Sequence, residues 1–260
     1  MRTLNWAPFA ALMVITACHA PPPQALGGPP RRGSDTARFL VSYDSATPEF
    51  ADFRAGLIAN RFLDTIAKRL NDSLRIPRSI TLATAHCDAP NSAYLADSRR
   101  VVLCYELFKS LADIFPDQDH EAYLIDGTVM FALMHELGHA LVDVLHLPIT
   151  GREEDAVDQL AITLLLQQGA AGDSLAFGAV GWFATTNQLD QFDSLTFADV
   201  HPVNLQRVYN ILCWVYGRDP ARHPEVVSRD LVPDDRREQC TDEFLQMKRS
   251  WTELLAPYHR

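Results

Sequence analysis

Residues 131–141 read Phe-Ala-Leu-Met-His-Glu-Leu-Gly-His-Ala-Leu, and two histidines four apart within this apolar run set the reading of the chain. Apolar residues recur at helical spacing on both sides, which predicts one helix over 121–147. On a helix, side chains at i and i+4 lie one above the other, so His135 and His139 can reach a single ion. Zinc prefers imidazole nitrogen and, for hydrolysis, takes three protein ligands plus a water. Glu136 then stands where its carboxylate can reach that water as a general base.

A third ligand is needed. A histidine six residues after His139 would serve, but that position is Leu145, and His146 falls one residue late. Pro148 and Gly151 end the helix, and a second begins at Arg152-Glu153-Glu154-Asp155-Ala156-Val157-Asp158. Glu154 and Asp158 are four apart on one face. This E-x-x-x-D pattern resembles that of the gluzincins, in which the glutamate binds zinc and the aspartate holds the outer nitrogen of a ligand histidine. Glu154 is the expected ligand and Asp158 its support. Asp155 is the main rival, and Glu153 is expected to turn away from the metal by the roughly 100° that separates helix neighbours. Acidic residues in a first turn also suit the helix dipole without any metal.

Further along, His201-Pro-Val-Asn-Leu-Gln-Arg207 resembles the H-P-x-x-x-x-R segment of metallopeptidases related to prenyl-protein proteases. That likeness implies that His201 donates to a tetrahedral intermediate and that Arg207 stabilises the oxyanion or supports the glutamate ligand. A helix cap followed by a surface arginine is the plainer alternative. The chain has none of that group's membrane helices.

The remaining elements are a small sheet and many helices. Strands are expected at 38–43, 79–85 and 100–105, from their β-branched residues. Thr47-Pro48-Glu49 opens a helix to about Leu70, and further helical patterns cover 152–168, 175–183, 203–216 and 238–255. This is an α+β fold dominated by helix. Trp182, Trp214 and Trp251 fall in apolar helical patterns and are expected in the core.

The whole body resembles a bacterial metallopeptidase family known as a domain of unknown function. The likeness runs through Asn91-Ser-Ala-Tyr94, Cys104-Tyr-Glu-Leu107, 135–141, 151–161 and 209–217. It implies a zincin-like fold, with a small sheet packed on the histidine-bearing helix, and proteolysis of a peptide or protein substrate. Zincin architecture further implies that strand 100–105 is the edge beside which an extended peptide lies.

The N-terminus concerns export. Residues 1–17, MRTLNWAPFAALMVITA, carry one arginine and an apolar run too short to span a bilayer. Ile15-Thr-Ala-Cys18 resembles a bacterial lipobox, which makes Cys18 the lipidated first residue of the mature chain. His19 rather than aspartate follows it, which by analogy with enteric sorting favours an outer membrane. Residues 18–36, rich in Pro and Gly, read as a tether to a metallopeptidase body at 37–260.

Four cysteines remain: Cys87, Cys104, Cys213 and Cys240. In an exported chain they suggest two disulfides; sequence proximity favours 87–104 and 213–240 among the three pairings. No run of 18 apolar residues follows the signal, so membrane contact is expected through lipid alone. The net charge of −10 over 260 residues, with no basic stretch, argues against a nucleic-acid partner. Two functions fit: a lipid-anchored zinc peptidase, or a metal-holding, non-catalytic assembly or binding factor of the envelope.

Overall fold

A computed structural model describes residues 36–187 and 201–260, without the side chains of 118–121 and 187. The expected signal segment, Cys18 and nearly all of the expected tether lie outside the described residues.

Strand β1 (Phe39–Tyr43) leads through a short 3₁₀ turn (Pro48–Phe50) into α1 (Ala51–Ala59) and α2 (Phe62–Ser73). The single helix expected from Thr47 to Leu70 is thus broken. Arg61 adopts the left-handed conformation (φ 52°), and the Thr47 hydroxyl makes no capping bond. The Tyr43 hydroxyl secures the restart, accepting from Leu63 N at 2.9 Å and donating to Asp64 at 3.0 Å. Strand β2 (Ile80–Ala85) follows, then β3 (Ser92–Leu95) and β4 (Arg100–Cys104). The sheet order is β1-β2-β4-β3, parallel except for the β3–β4 hairpin.

The hairpin corrects one expectation. Strand 100–105 is not an edge, because β4 is paired on both sides; the edges are β1 and β3, and β3 is the one packed against the histidine-bearing helix. Strand β3 gave no sequence signal, since Ser-Ala-Tyr-Leu is too short and mixed for a period-2 pattern. Helix α3 (Tyr105–Ile114) also went unread.

Helix α4 (Gln118–Leu145) is the central element, packed against β3, β4, α3, α5 (Glu153–Leu166) and α6 (Ala170–Asn187). It is long and apolar enough to cross a membrane, yet 72% of its most apolar window is buried within the protein. That burial marks a core helix. Leu133, Leu137 and Leu141 join Ile80, Leu82, Val101 and Leu103 of the sheet and Leu63 of α2 in one core. His146 caps α4 in the left-handed conformation and is exposed.

Beyond α6, helix α7 (Asn204–Arg218) and helix α10 (Cys240–Leu255) pack together, with short helices α8 (Pro224–Ser228) and α9 (Asp234–Arg237) between them. The cysteines pair as 87–104 and 213–240, with Cα separations of 5.6 and 5.0 Å. Trp214 and Trp251 are in the core, but Trp182 is only half-buried and lines a cleft.

Candidate metal centre

Helices α4 and α5 approach closely where α4 carries Gly138. A Cβ there would lie 2.8 Å from Val157 Cβ, inside van der Waals contact. This approach brings the first turn of α5 over the two histidines. Gly138→Ala is therefore expected to cost about 1–3 kcal/mol by overpacking and to weaken metal binding by moving Glu154. A thermal melt and a zinc titration check this; a variant unchanged in both would show that the contact does not set the helix spacing.

Donor atoms of four side chains converge at this crossing. His135 Nε2 lies 3.2 Å from His139 Nε2 and 3.2 Å from Glu154 Oε2, and His139 Nε2 lies 3.4 Å from Glu154 Oε1. His201 Nε2 lies 3.3 Å from Glu154 Oε2, and His135, Glu154 and His201 form a cluster able to hold a metal ion.

The outer nitrogens are already committed. His135 Nδ1 is 2.7 Å from Asp158 Oδ1, and His139 Nδ1 is 2.7 Å from Glu153 Oε1. An ionised carboxylate only accepts, so each Nδ1 must donate. In the neutral rings both Nε2 atoms then present lone pairs to each other at 3.2 Å, which repel unless a cation or proton lies between them. Glu154 Oε2 is buried without a hydrogen bond, aimed at the same point. The donor set fits a divalent ion.

The electrostatics agree. Burial would lower the pKa of His135, but its contacts with Asp158 and Glu154 prevail and raise it to about 9. His139 is raised in the same way, against burial, by Glu154 and Glu153. Burial opposes the ionisation of Glu154, yet the imidazoles of His135 and His139 hold it well below the usual carboxylate range. A cation here competes with protons on the histidines, so uptake releases protons and weakens toward acid pH.

Behind His135 stands a buried ion pair. Arg207 of α7 donates through Nε to Asp158 Oδ2 and through Nη2 to Asp158 Oδ1, both at 2.7 Å. Its guanidinium also stacks 4.7 Å from the Phe183 ring centre. Asp158 is held low against burial by His135 and Arg207. The guanidinium donates its hydrogen bonds to Asp158 rather than to Glu154.

Glu153 was expected to face away from the site. It does leave the Nε2 side, but its long side chain reaches the outer nitrogen of His139 instead. Rotation about the helix axis carries Glu153 off the Nε2 side without taking it out of reach of the far side of the ring.

A cleft runs over the centre in two arms, of about 470 and 500 Å³, both lined by Asn91, Ser92, Glu136 and His201. One arm continues over Phe131, Trp182, Phe183 and Val203, and the other past Tyr94, Asp143 and Glu153. Glu136 sits between the arms, its Oε1 accepting from Ser92 Oγ at 3.0 Å.

A family model described as "Putative metallopeptidase" matches residues 43–255. The chain belongs to this metallopeptidase family. The matched span contains α4, α5, α7 and every donor named above. No curated protein and no solved structure matches the chain.

Proposed function

We propose that this metallopeptidase is a zinc-dependent peptidase of the gluzincin kind, with a zincin-like body, exported and held at the bacterial cell envelope as a lipoprotein. The observation that carries the reading is the meeting of His135, His139 and Glu154 beside Glu136 in an open cleft. Their donor atoms are 3.2–3.4 Å apart. Ligands about 2.0–2.1 Å from a tetrahedral zinc stand roughly 3.3 Å from one another, which supports zinc over ions with larger oxygen cages.

When bound, zinc supplies Lewis acidity and lowers the pKa of a water at the position the protein leaves open. Glu136 accepts a proton from the attacking water and delivers it to the leaving amine. His201, half exposed on the cleft wall, donates to the developing oxyanion. Asp158 orients His135, and Arg207 fixes Asp158. Strand β3, the edge beside the cleft, is the place for an extended peptide.

One observation favours a second reading. His201 is as near to Glu154 Oε2 as His135 is, so four protein donors could close the site and leave a metal-holding, non-catalytic envelope factor. The readings separate by titration. The soluble body should bind about one zinc per chain, His139→Ala should abolish binding, and His201→Ala should keep it. Loss of zinc in His201→Ala would favour the closed site. Stoichiometric zinc in a His135→Ala, His139→Ala double variant would end both.

The anchor has its own test. Cys18→Ser should leave an unprocessed or freely soluble product in cell fractions, and unchanged membrane attachment would refute the lipoprotein.

A further inference from the structure

Two side chains of the edge strand reach across to the helix that bears the histidines. Ser92 Oγ donates to Glu136 Oε1 at 3.0 Å, and Tyr94 Oη donates to Asp143 Oδ2 at 2.5 Å. The spacing explains why both bonds form together. Residues two apart on a strand share a face, and residues seven apart on a helix return to nearly the same side. Ser92 and Tyr94 therefore face α4 while Leu95 is exposed, and Glu136 and Asp143 face the strand. The helical pair is separated by a rise of about 10.5 Å, and the strand pair by about 6.7 Å. The longer tyrosine takes up the difference.

Resting on the peptidase reading above, we infer that Ser92 is a positioning residue for the proton-transferring carboxylate of Glu136, and that the Tyr94–Asp143 bond holds its strand at the required height. A glutamate side chain has several rotatable bonds, and a carboxylate left loose spends much of its time misdirected for proton transfer. The Ser92 hydroxyl occupies one oxygen and leaves the other for the cleft. Because β3 is also the edge beside the cleft, the same strand sets the height of the base and of anything lying along that edge. The hairpin is in turn tied at its base. Cys104 N donates to Asn91 O at 3.0 Å, and Cys104 is bonded to Cys87.

The test uses the zinc-loaded protein and acetohydroxamic acid, a small chelator that gives up a proton as it binds and therefore reports on the nearby base without turnover. Affinities are measured by calorimetry for wild type, Glu136→Gln, Ser92→Ala, Ser92→Thr and Tyr94→Phe, with zinc content measured in each. Because a freed Glu136 side chain must be reordered before it can take the probe's proton, Ser92→Ala is expected to weaken the probe by about 5–10-fold, while Ser92→Thr, which keeps the hydroxyl, stays within about twofold. Tyr94→Phe should fall between them, and zinc content should be unchanged throughout. On a cleaved peptide, Ser92→Ala should lower kcat by a similar factor and leave KM alone.

The inference is overturned if Ser92→Ala binds the probe like wild type while Glu136→Gln does not. It is equally overturned if Ser92→Ala loses zinc, since the bond would then belong to the metal framework. A wild-type protein that binds the probe but cleaves no peptide would refute the peptidase reading alone, and the probe series would still decide the role of Ser92.

Discussion

Glu136→Gln is expected to hold zinc as tightly as wild type and to hydrolyse peptides about 10²–10⁴-fold more slowly, the range that a general base contributes. The substitution keeps shape and removes the proton acceptor. The Glu136 carboxylate is not part of the cluster of His135, Glu154 and His201 and is bonded to Ser92 instead, so metal content should not change. The measurement pairs zinc content with cleavage of a mixed peptide library followed by mass spectrometry. Retained cleavage in Glu136→Gln would remove this residue from the chemistry. A chain that never cleaves, with zinc bound and Glu136 intact, would leave the metal-holding factor as the better account.

Asp158→Ala is expected to produce the largest loss of stability. The substitution strands Arg207, whose side chain is only 9% exposed, and deprives His135 Nδ1 of its acceptor. Removing one member of a buried ion pair costs about 3–5 kcal/mol, because the remaining charge is left without compensation. For a body of this size each kcal/mol moves the melting temperature by about 2–4 °C. Zinc affinity should fall as well, by about 10–100-fold, because His135 loses the bond that fixes its tautomer. Asp158→Asn should be milder in both respects. Adding Arg207→Met to Asp158→Ala should recover part of the stability, since no lone charge then remains buried. If Asp158→Ala melts like wild type, the ion pair is not what holds α5 and α7 together behind the centre.

The site was legible in the sequence to different depths. His135, Glu136 and His139 could be read directly, because a helix converts spacing into direction and one helix carries all three. Glu154 and Asp158 required two further steps: a break at the end of α4, and a guess at which face of α5 turns inward. Asp155 could not be set aside by that reasoning. The observed contacts of the two histidines go to Glu153, Glu154 and Asp158. Glu153 turns off the Nε2 side as its helix position implies, but its contact with the outer nitrogen of His139 could not be read from rotation about the axis, which says nothing of reach. Ser92 and Tyr94 carry no spacing signal of their own, since strand β3 is too short to announce itself and its role depends on what lies opposite.

The sequence by itself determined the elements that depend on local periodicity. These are the three longer strands, the long histidine-bearing helix and the acidic start of the next one; for the cysteines it favoured one pairing of three. Only the tertiary structure decided which strand is the edge, because β3 inserts beyond β4 and moves 100–104 into the interior. It also decided where Arg207 is engaged. Asp158 and Arg207 are 49 positions apart, and no spacing rule reaches that far. What joins them is desolvation: a buried carboxylate and a buried guanidinium are each costly alone, and the fold brings them together.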